Sequence, residues 1–198
     1  MRRALAIGLL AGAFAAVVVV YLLDRSAHRA PEAIATLPDF ELVDSGGATV
    51  RRADLVGRPL VVDFIFTRCA LYCPRLTTEM KALGPRLPAG VGRVSISVDP
   101  EHDRPEVLAE YARKWGVGDA DDWRFLTGEK GAVLDLIRKG FLLPVEDDPD
   151  NPAMPILHSN RFALVDAGGR IRGTYEAFEP EAIERLIRDL AAVRAEAR

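Results

Sequence analysis

The chain has 198 residues, of which 49% are hydrophobic and 28% are charged, and its formal net charge is −3. This composition is that of an ordinary globular protein. No basic stripe interleaved with aromatic residues is present, so the sequence gives no support to a nucleic-acid-binding function.

An apolar segment near the N-terminus contains no charged residue from position 4 to position 23. Twenty residues at the helical rise match the hydrocarbon thickness of a bilayer. A cleaved signal peptide is the alternative, but charged residues follow at once and the nearest small-x-small triplet is at 33–35. We predict an uncleaved, single-pass anchor over residues 1–25 in a bacterial inner membrane, with the remaining chain facing the periplasm.

The segment over residues 26–37 is polar and typical of a tether, so the predicted domain spans residues 38–198. Hydrophobic periodicity and turn residues predict the following elements in chain order: a hairpin (39–43 and 48–50), a buried strand (60–66), a helix (73–87), a strand (93–98), a helix (105–115), a short strand (124–126), a helix (130–139), a solvated acidic loop (144–155), a second hairpin (160–165 and 171–175) and a closing helix from Pro180. This order predicts an α/β, thioredoxin-like domain with an N-terminal β-hairpin.

Cys69 and Cys73 are the only cysteines in the chain, and they follow the predicted buried strand over 60–66. Both sulfurs should therefore lie at the carboxyl end of the sheet, where open α/β sheets keep their reactive groups. A pair of thiols there can bind a soft metal, exchange electrons as a disulfide, or staple a loop. The staple would close so small a loop that it would stabilise the domain only modestly.

Two sulfurs rarely saturate a soft metal, so a third ligand is expected, and the chain has three histidines. His28 lies in the tether, and His102 lies in a charged loop where a solvated side chain is expected. His158 precedes the strand over 160–165 and could overhang the two cysteines. On position alone, a histidine that merely lines a loop is the favoured interpretation, and a zinc site remains open.

The chain contains three motifs: Phe64-Ile65-Phe66-Thr67-Arg68-Cys69-Ala70-Leu71-Tyr72-Cys73-Pro74, the segment from Ser97 to Leu108, and His158-Ser159-Asn160-Arg161-Phe162-Ala163-Leu164-Val165-Asp166. Together they resemble the Sco/SenC family of copper chaperones for cytochrome c oxidase assembly. Three motifs in the family's order are far more specific than a lone cysteine pair.

The resemblance implies that Cys69, Cys73 and His158 bind one copper ion per domain, as Cu(I) or Cu(II), with Asp99 near the site. It implies a metallochaperone rather than an enzyme, whose partner is the cytochrome c oxidase subunit with the binuclear copper site. The alternative is a thiol–disulfide reductase that keeps the acceptor cysteines reduced. Family members commonly carry Pro-Asp-x between the cysteines, whereas this chain has Ala-Leu-Tyr at 70–72. We expect this loop to be more flexible and less negative.

Overall fold

The structure is a computed structural model that describes residues 14, 17–18, 29–70, 72–118, 121–148 and 156–196. The predicted anchor over residues 1–25 lies outside the described residues except at positions 14, 17 and 18, and His28 also lies outside them. Within the part of the chain that is described, no helix is both long and apolar enough to cross a membrane.

Ten strands and five α-helices are found in the described residues. In chain order they are β1 (Ala35–Thr36), β2 (Glu41–Asp44), β3 (Thr49–Arg51), α1 (Arg52–Leu55), β4 (Leu60–Ile65), α2 (Tyr72–Leu83), β5 (Gly92–Ser97), α3 (Pro105–Lys114), β6 (Trp123–Thr127), α4 (Lys130–Asp135), β7 (Val145–Asp147), β8 (Ile156–His158), β9 (Arg161–Val165), β10 (Arg170–Glu176) and α5 (Pro180–Glu196). A 3₁₀ turn (Gly84–Arg86) follows α2, and a π-helical turn (Leu136–Gly140) follows α4.

Eight of these strands form one sheet in the order β1-β10-β9-β4-β5-β6-β2-β3. The central strands β4, β5 and β6 are parallel, and β9 runs antiparallel beside β4. Every residue of β4 and β5 is buried, as expected for parallel strands covered on both faces. The predicted thioredoxin-like α/β layout is confirmed. It places the carboxyl end of the central strand β4 at one end of the sheet.

The end of the predicted tether belongs to the sheet. Ala35 and Thr36 form β1, which pairs with β10, and Leu37 is buried. The Arg172 guanidinium also donates a hydrogen bond to the carbonyl of Pro31, with an N–O distance of 2.6 Å. β1 pairs through its backbone at the sheet edge, and such pairing needs no alternating side-chain pattern. The polar composition of this segment therefore gave no signal for a strand.

Part of the predicted acidic loop over 144–155 is also a strand. Val145–Asp147 pairs antiparallel with Ile156–His158, in a register that places Val145 opposite His158. Val145 and Ile156 are buried, and two apolar side chains among acidic residues were too weak a signal to predict this pairing. The pairing matters for function because it fixes the position of His158.

Asp63 places a carboxyl group in the centre of the sheet, where it is fully buried. The Ser95 hydroxyl donates to its Oδ1 over 2.5 Å and accepts from the Trp123 indole over 2.9 Å. Among the described residues, Oδ2 has no hydrogen-bond partner. Burial disfavours the ionised carboxylate and raises the pKa of Asp63 to about 7, although the Ser95 hydrogen bond opposes this shift.

Replacing Asp63 with asparagine should stabilise the domain at neutral and alkaline pH. The pKa is about 7 in the folded state against 3.8 for an unperturbed aspartate, so the wild-type free energy of unfolding falls as pH rises between these values. Above pH 7 the variant should gain roughly 2–4 kcal/mol, and at acidic pH it should gain little. Urea unfolding of the reduced protein at about pH 5 and about pH 8 measures this difference.

The two ionisable groups that interact with Asp63, Cys73 and Tyr111, should not confound that experiment. Both have a raised pKa, so both remain uncharged over the same range of pH. Equal changes in the unfolding midpoint at both pH values would show that Asp63 is not the titrating group.

Candidate metal centre

The two cysteines lie where the sequence predicted, on the loop and helix that follow β4. The Cys69 N–H donates to the carbonyl of Phe66 over 3.2 Å, which closes a turn after the strand. Cys73 lies in the first turn of α2, followed by Pro74, which is tolerated there because that turn needs no N–H donor. Both cysteines are buried thiols that are not joined in a disulfide, and the Cys73 N–H donates to Cys69 Sγ over 3.3 Å.

A buried aspartate in the β5–α3 loop supports the cysteine loop. Asp103 accepts hydrogen bonds from the Thr67 N–H over 3.0 Å, from the Thr67 hydroxyl over 2.5 Å and from the Ser97 hydroxyl over 2.6 Å. It thereby fixes the backbone two positions before Cys69. This role was not predicted from the sequence, although Asp103 belongs to the second of the three motifs.

Asp99, which was expected near the site, supports the same loop through a neighbouring residue. The Arg68 guanidinium donates two hydrogen bonds to Asp99 Oδ2, with N–O distances of 2.9 and 2.6 Å. Asp99 is buried and Arg68 is half-exposed. The carboxylate therefore orients the residue next to Cys69.

His158 is the residue for which sequence position was least informative, and the structure places it beside Cys73. The distance from His158 Nε2 to Cys73 Sγ is 3.6 Å, although the two residues are 85 positions apart. The imidazole packs edge-on against the Phe66 ring, with ring centroids 5.5 Å apart. His102, by contrast, is exposed, as predicted.

The hydrogen bonds of His158 determine which ring nitrogen is available to a metal. Nδ1 lies 3.0 Å from the carbonyl oxygen of Ser159, and a carbonyl can only accept, so Nδ1 carries the proton. Burial lowers the pKa of His158, partly opposed by this hydrogen bond, so the ring is neutral at physiological pH. Nε2 therefore directs a lone pair toward Cys73, as a metal-binding imidazole requires.

The separation of these two atoms suits two ligands of one metal ion. Thiolate sulfur and imidazole nitrogen lie about 2.3 and 2.0 Å from a metal such as zinc, and at tetrahedral or trigonal angles they are about 3.5–3.7 Å apart. The observed distance is 3.6 Å. Cys73 and His158 thus form a pair that is already spaced for coordination.

Cys73 is protonated in the metal-free protein. Its hydrogen bond with Cys69 and its burial raise the pKa of the Cys73 thiol well above the usual range. A metal ion must therefore displace the Cys73 proton on binding. The same shift makes Cys73 a poor attacking nucleophile as long as no metal is bound, because the thiolate is the reactive form.

Cys69 is adjacent to this pair, and its approach to a metal would complete the centre. Among the described residues, no three histidine, cysteine, aspartate or glutamate side chains already converge closely enough to hold an ion. Cys69 Sγ faces the Cys73 N–H at the start of α2. The structure therefore brings all three predicted residues to one end of the sheet, with two of them in direct contact.

Most of the chain is similar in sequence to known proteins. The SCO1/SenC family model matches residues 28–194. A Stutzerimonas stutzeri protein that carries the name of a copper-binding protein is 31% identical over 71% of this chain and 69% of its own length. A SCO1/SenC family lipoprotein from Bacillus anthracis aligns over 85% of this chain and 99% of its own, with 30% identity and a TM-score of 0.73.

A second solved structure aligns equally well. BsSco, a member of the Sco family of cytochrome c oxidase assembly proteins in which a disulfide switch was identified, shares 28% identity with this chain. The alignment covers 85% of this chain and 98% of BsSco, with a TM-score of 0.73.

Proposed function

Because the chain belongs to the SCO1/SenC family, we propose that it is a membrane-anchored metallochaperone that binds one copper ion through Cys69, Cys73 and His158. Its acceptor is the cytochrome c oxidase subunit with the binuclear copper site. The observation that carries this proposal is the 3.6 Å approach of His158 Nε2 to Cys73 Sγ. No local feature of the sequence requires these two atoms to meet, and their spacing is that of ligands to one ion.

The donor set favours copper over hard cations. Two thiolates and one imidazole are soft or borderline ligands, which select copper or zinc rather than calcium or magnesium. The family and the Stutzerimonas stutzeri relative favour copper between the two. A neutral His158 needs to lose no proton on binding, whereas Cys73 must lose one.

The same residues suit release of the ion to a dithiol acceptor. Three protein ligands leave a coordination position for an incoming sulfur, so transfer can proceed by exchanging one ligand at a time. His158 is the ligand whose departure leaves no charge behind, because its neutral ring is stable without a metal. Each departing cysteine regains a proton as the acceptor thiol gives one up.

The membrane location rests on the sequence. Residues 4–23 provide an apolar segment of spanning length, with the tether and domain following it. Anchoring this domain on the periplasmic side of a bacterial inner membrane would place it on the same surface as an oxidase acceptor.

A thiol–disulfide reductase is the second candidate function. It is favoured by the proximity of the two cysteines and by the disulfide switch identified in BsSco. Both functions need the cysteines, but only metal binding needs His158.

The proposal is tested by titrating the reduced full-length chain with copper. The parent should bind one equivalent, and Cys69→Ala should bind at least about 100-fold more weakly, because one of three ligands is lost. Thr127→Ala is a matched control, since it removes a similarly small buried group from β6, outside the three ligand-bearing segments. Copper binding by Cys69→Ala as tight as that of the parent would refute the metallochaperone.

A further inference from the structure

The turn between β10 and α5 contacts the helix that carries Cys73. The ring of Phe178, in this turn, stacks on the Tyr72 ring with centroids 6.5 Å apart and an interplanar angle of 24°. The guanidinium carbon of Arg75 lies 4.1 Å from the centroid of the same Phe178 ring. Tyr72 and Arg75 are three positions apart on α2, so they share a helix face and flank Cys73.

The same turn is also attached to the segment that carries His158. The Ala177 N–H donates to the carbonyl of Asn160 over 3.2 Å, two positions after His158. The adjacent residues Arg161 and Glu176 are paired in the β9–β10 ladder. The backbone next to Phe178 is therefore fixed relative to the imidazole, and its side chain is fixed relative to the first turn of α2.

We propose that Phe178 is a positioning residue for the metal centre, which holds the first turn of α2 at a set distance from the His158 segment. The proposal rests on the proposed copper site and deepens it. Cys73 and His158 come from segments 85 positions apart, and a loop without proline precedes Cys73. The Tyr72–Phe178–Arg75 cluster restrains the helical end of that loop through aromatic stacking and a cation–π contact.

Phe178→Leu in the full-length chain tests this role, because leucine keeps apolar bulk but removes the ring face. Phe40→Leu is the matched control, since Phe40 is also partly buried against the core and lines an apolar cavity with Leu37 and Leu55. Phe178→Tyr retains the ring and should restore the parent behaviour. These three variants separate loss of the stack from a general loss of packing.

Two measurements are made on each variant. In the metal-free reduced protein, the nuclear Overhauser effect between the His158 and Phe66 rings should weaken in Phe178→Leu and persist in Phe40→Leu. In the copper-loaded protein, Phe178→Leu should bind about 10-fold more weakly, with a shifted thiolate-to-Cu(II) absorption band, as expected when a residue that orients a ligand is lost. If Phe178→Leu matches Phe40→Leu in both measurements, the proposal is wrong.

Two further outcomes of these experiments also bear on the proposal. If the parent shows no copper binding that depends on Cys69 and His158, the proposed function fails, whereas the metal-free ring contact still decides the role of Phe178. If Phe178→Leu does not fold, Tyr72→Leu tests the same stack from a half-exposed position. It should weaken the same ring contact, and an unchanged contact in Tyr72→Leu would overturn the proposal.

Discussion

Replacing His158 with alanine is expected to weaken copper binding by at least about 100-fold and to abolish the thiolate-to-Cu(II) band of the parent. The variant keeps both sulfurs but loses the neutral Nε2 that lies 3.6 Å from Cys73 Sγ. A two-thiolate site is left with no imidazole to complete it. Competition against a chelator of known affinity measures the loss, and spin resonance of the Cu(II) form reports whether a nitrogen ligand remains.

The same variant should leave thiol–disulfide exchange largely intact, and this separates the two candidate functions. His158 is neutral and accepts from a protonated Cys73, so no imidazolium–thiolate pair activates Cys73. Removing the ring therefore takes no charge from the cysteines. The rate at which the reduced variant cleaves a small aromatic disulfide should stay within about 3-fold of the parent.

His102→Ala provides the control, because His102 is exposed in the β5–α3 loop and should change neither property. The opposite pattern for His158→Ala, with thiol exchange abolished and copper binding retained, would reverse the assigned roles. The protein would then be a reductase whose histidine activates a cysteine.

The position of the cysteine pair could be predicted from local sequence because each determinant is local. The apolar run of β4 specifies a buried strand, and Pro74 marks the first turn of the following helix. The alternation of strands and helices then predicts the parallel centre of the sheet. Both thiols must therefore lie at the carboxyl end of these parallel strands.

The approach of His158 could not be predicted in the same way, because it depends on a pairing with little local signal. The pairing of β7 with β8 sets its position, and β7 consists of one buried valine followed by two acidic residues. The resemblance to a family predicted the ligand, whereas position alone favoured a histidine that merely lines a loop. Long-range pairing, rather than a local feature of the sequence, brings the His158 imidazole beside Cys73.

The supporting hydrogen bonds were missed for a related reason. Asp63 contacts Ser95 only because β4 and β5 pair in register. Asp103 contacts Thr67 only because the β5–α3 loop and the loop after β4 lie side by side at one end of the sheet. Asp63 lies in a predicted buried strand, but no local feature indicates Ser95 as its partner, and the charged loop around Asp103 is typical of solvated residues. Their roles follow from tertiary contacts rather than from propensity or periodicity.

Oxidation of Cys69 and Cys73 to a disulfide is expected to abolish copper binding, and bound copper is expected to slow that oxidation. The two thiols lose two protons and two electrons to an added small-molecule disulfide, which is reduced to two thiols as the Cys69–Cys73 bond forms. The sulfurs are then no longer thiolates, which are the form that binds soft metals. The Cys73 N–H already lies 3.3 Å from Cys69 Sγ, so the pair is close before oxidation.

The experiment follows free thiols and bound copper together in the full-length chain. Oxidised protein should retain almost no copper after desalting, and reduction with a phosphine should restore one equivalent. Cys69→Ala cannot form the internal bond, so its remaining thiol should respond to the oxidant only by mixed-disulfide formation, visible as an added mass. Retention of copper by the fully oxidised parent would mean that the sulfurs are not ligands, and the ion would then have to be held by residues other than the cysteine pair. The expected outcome instead makes copper loading dependent on the redox state of Cys69 and Cys73, because one pair of sulfurs cannot serve as a disulfide and as two thiolate ligands at the same time.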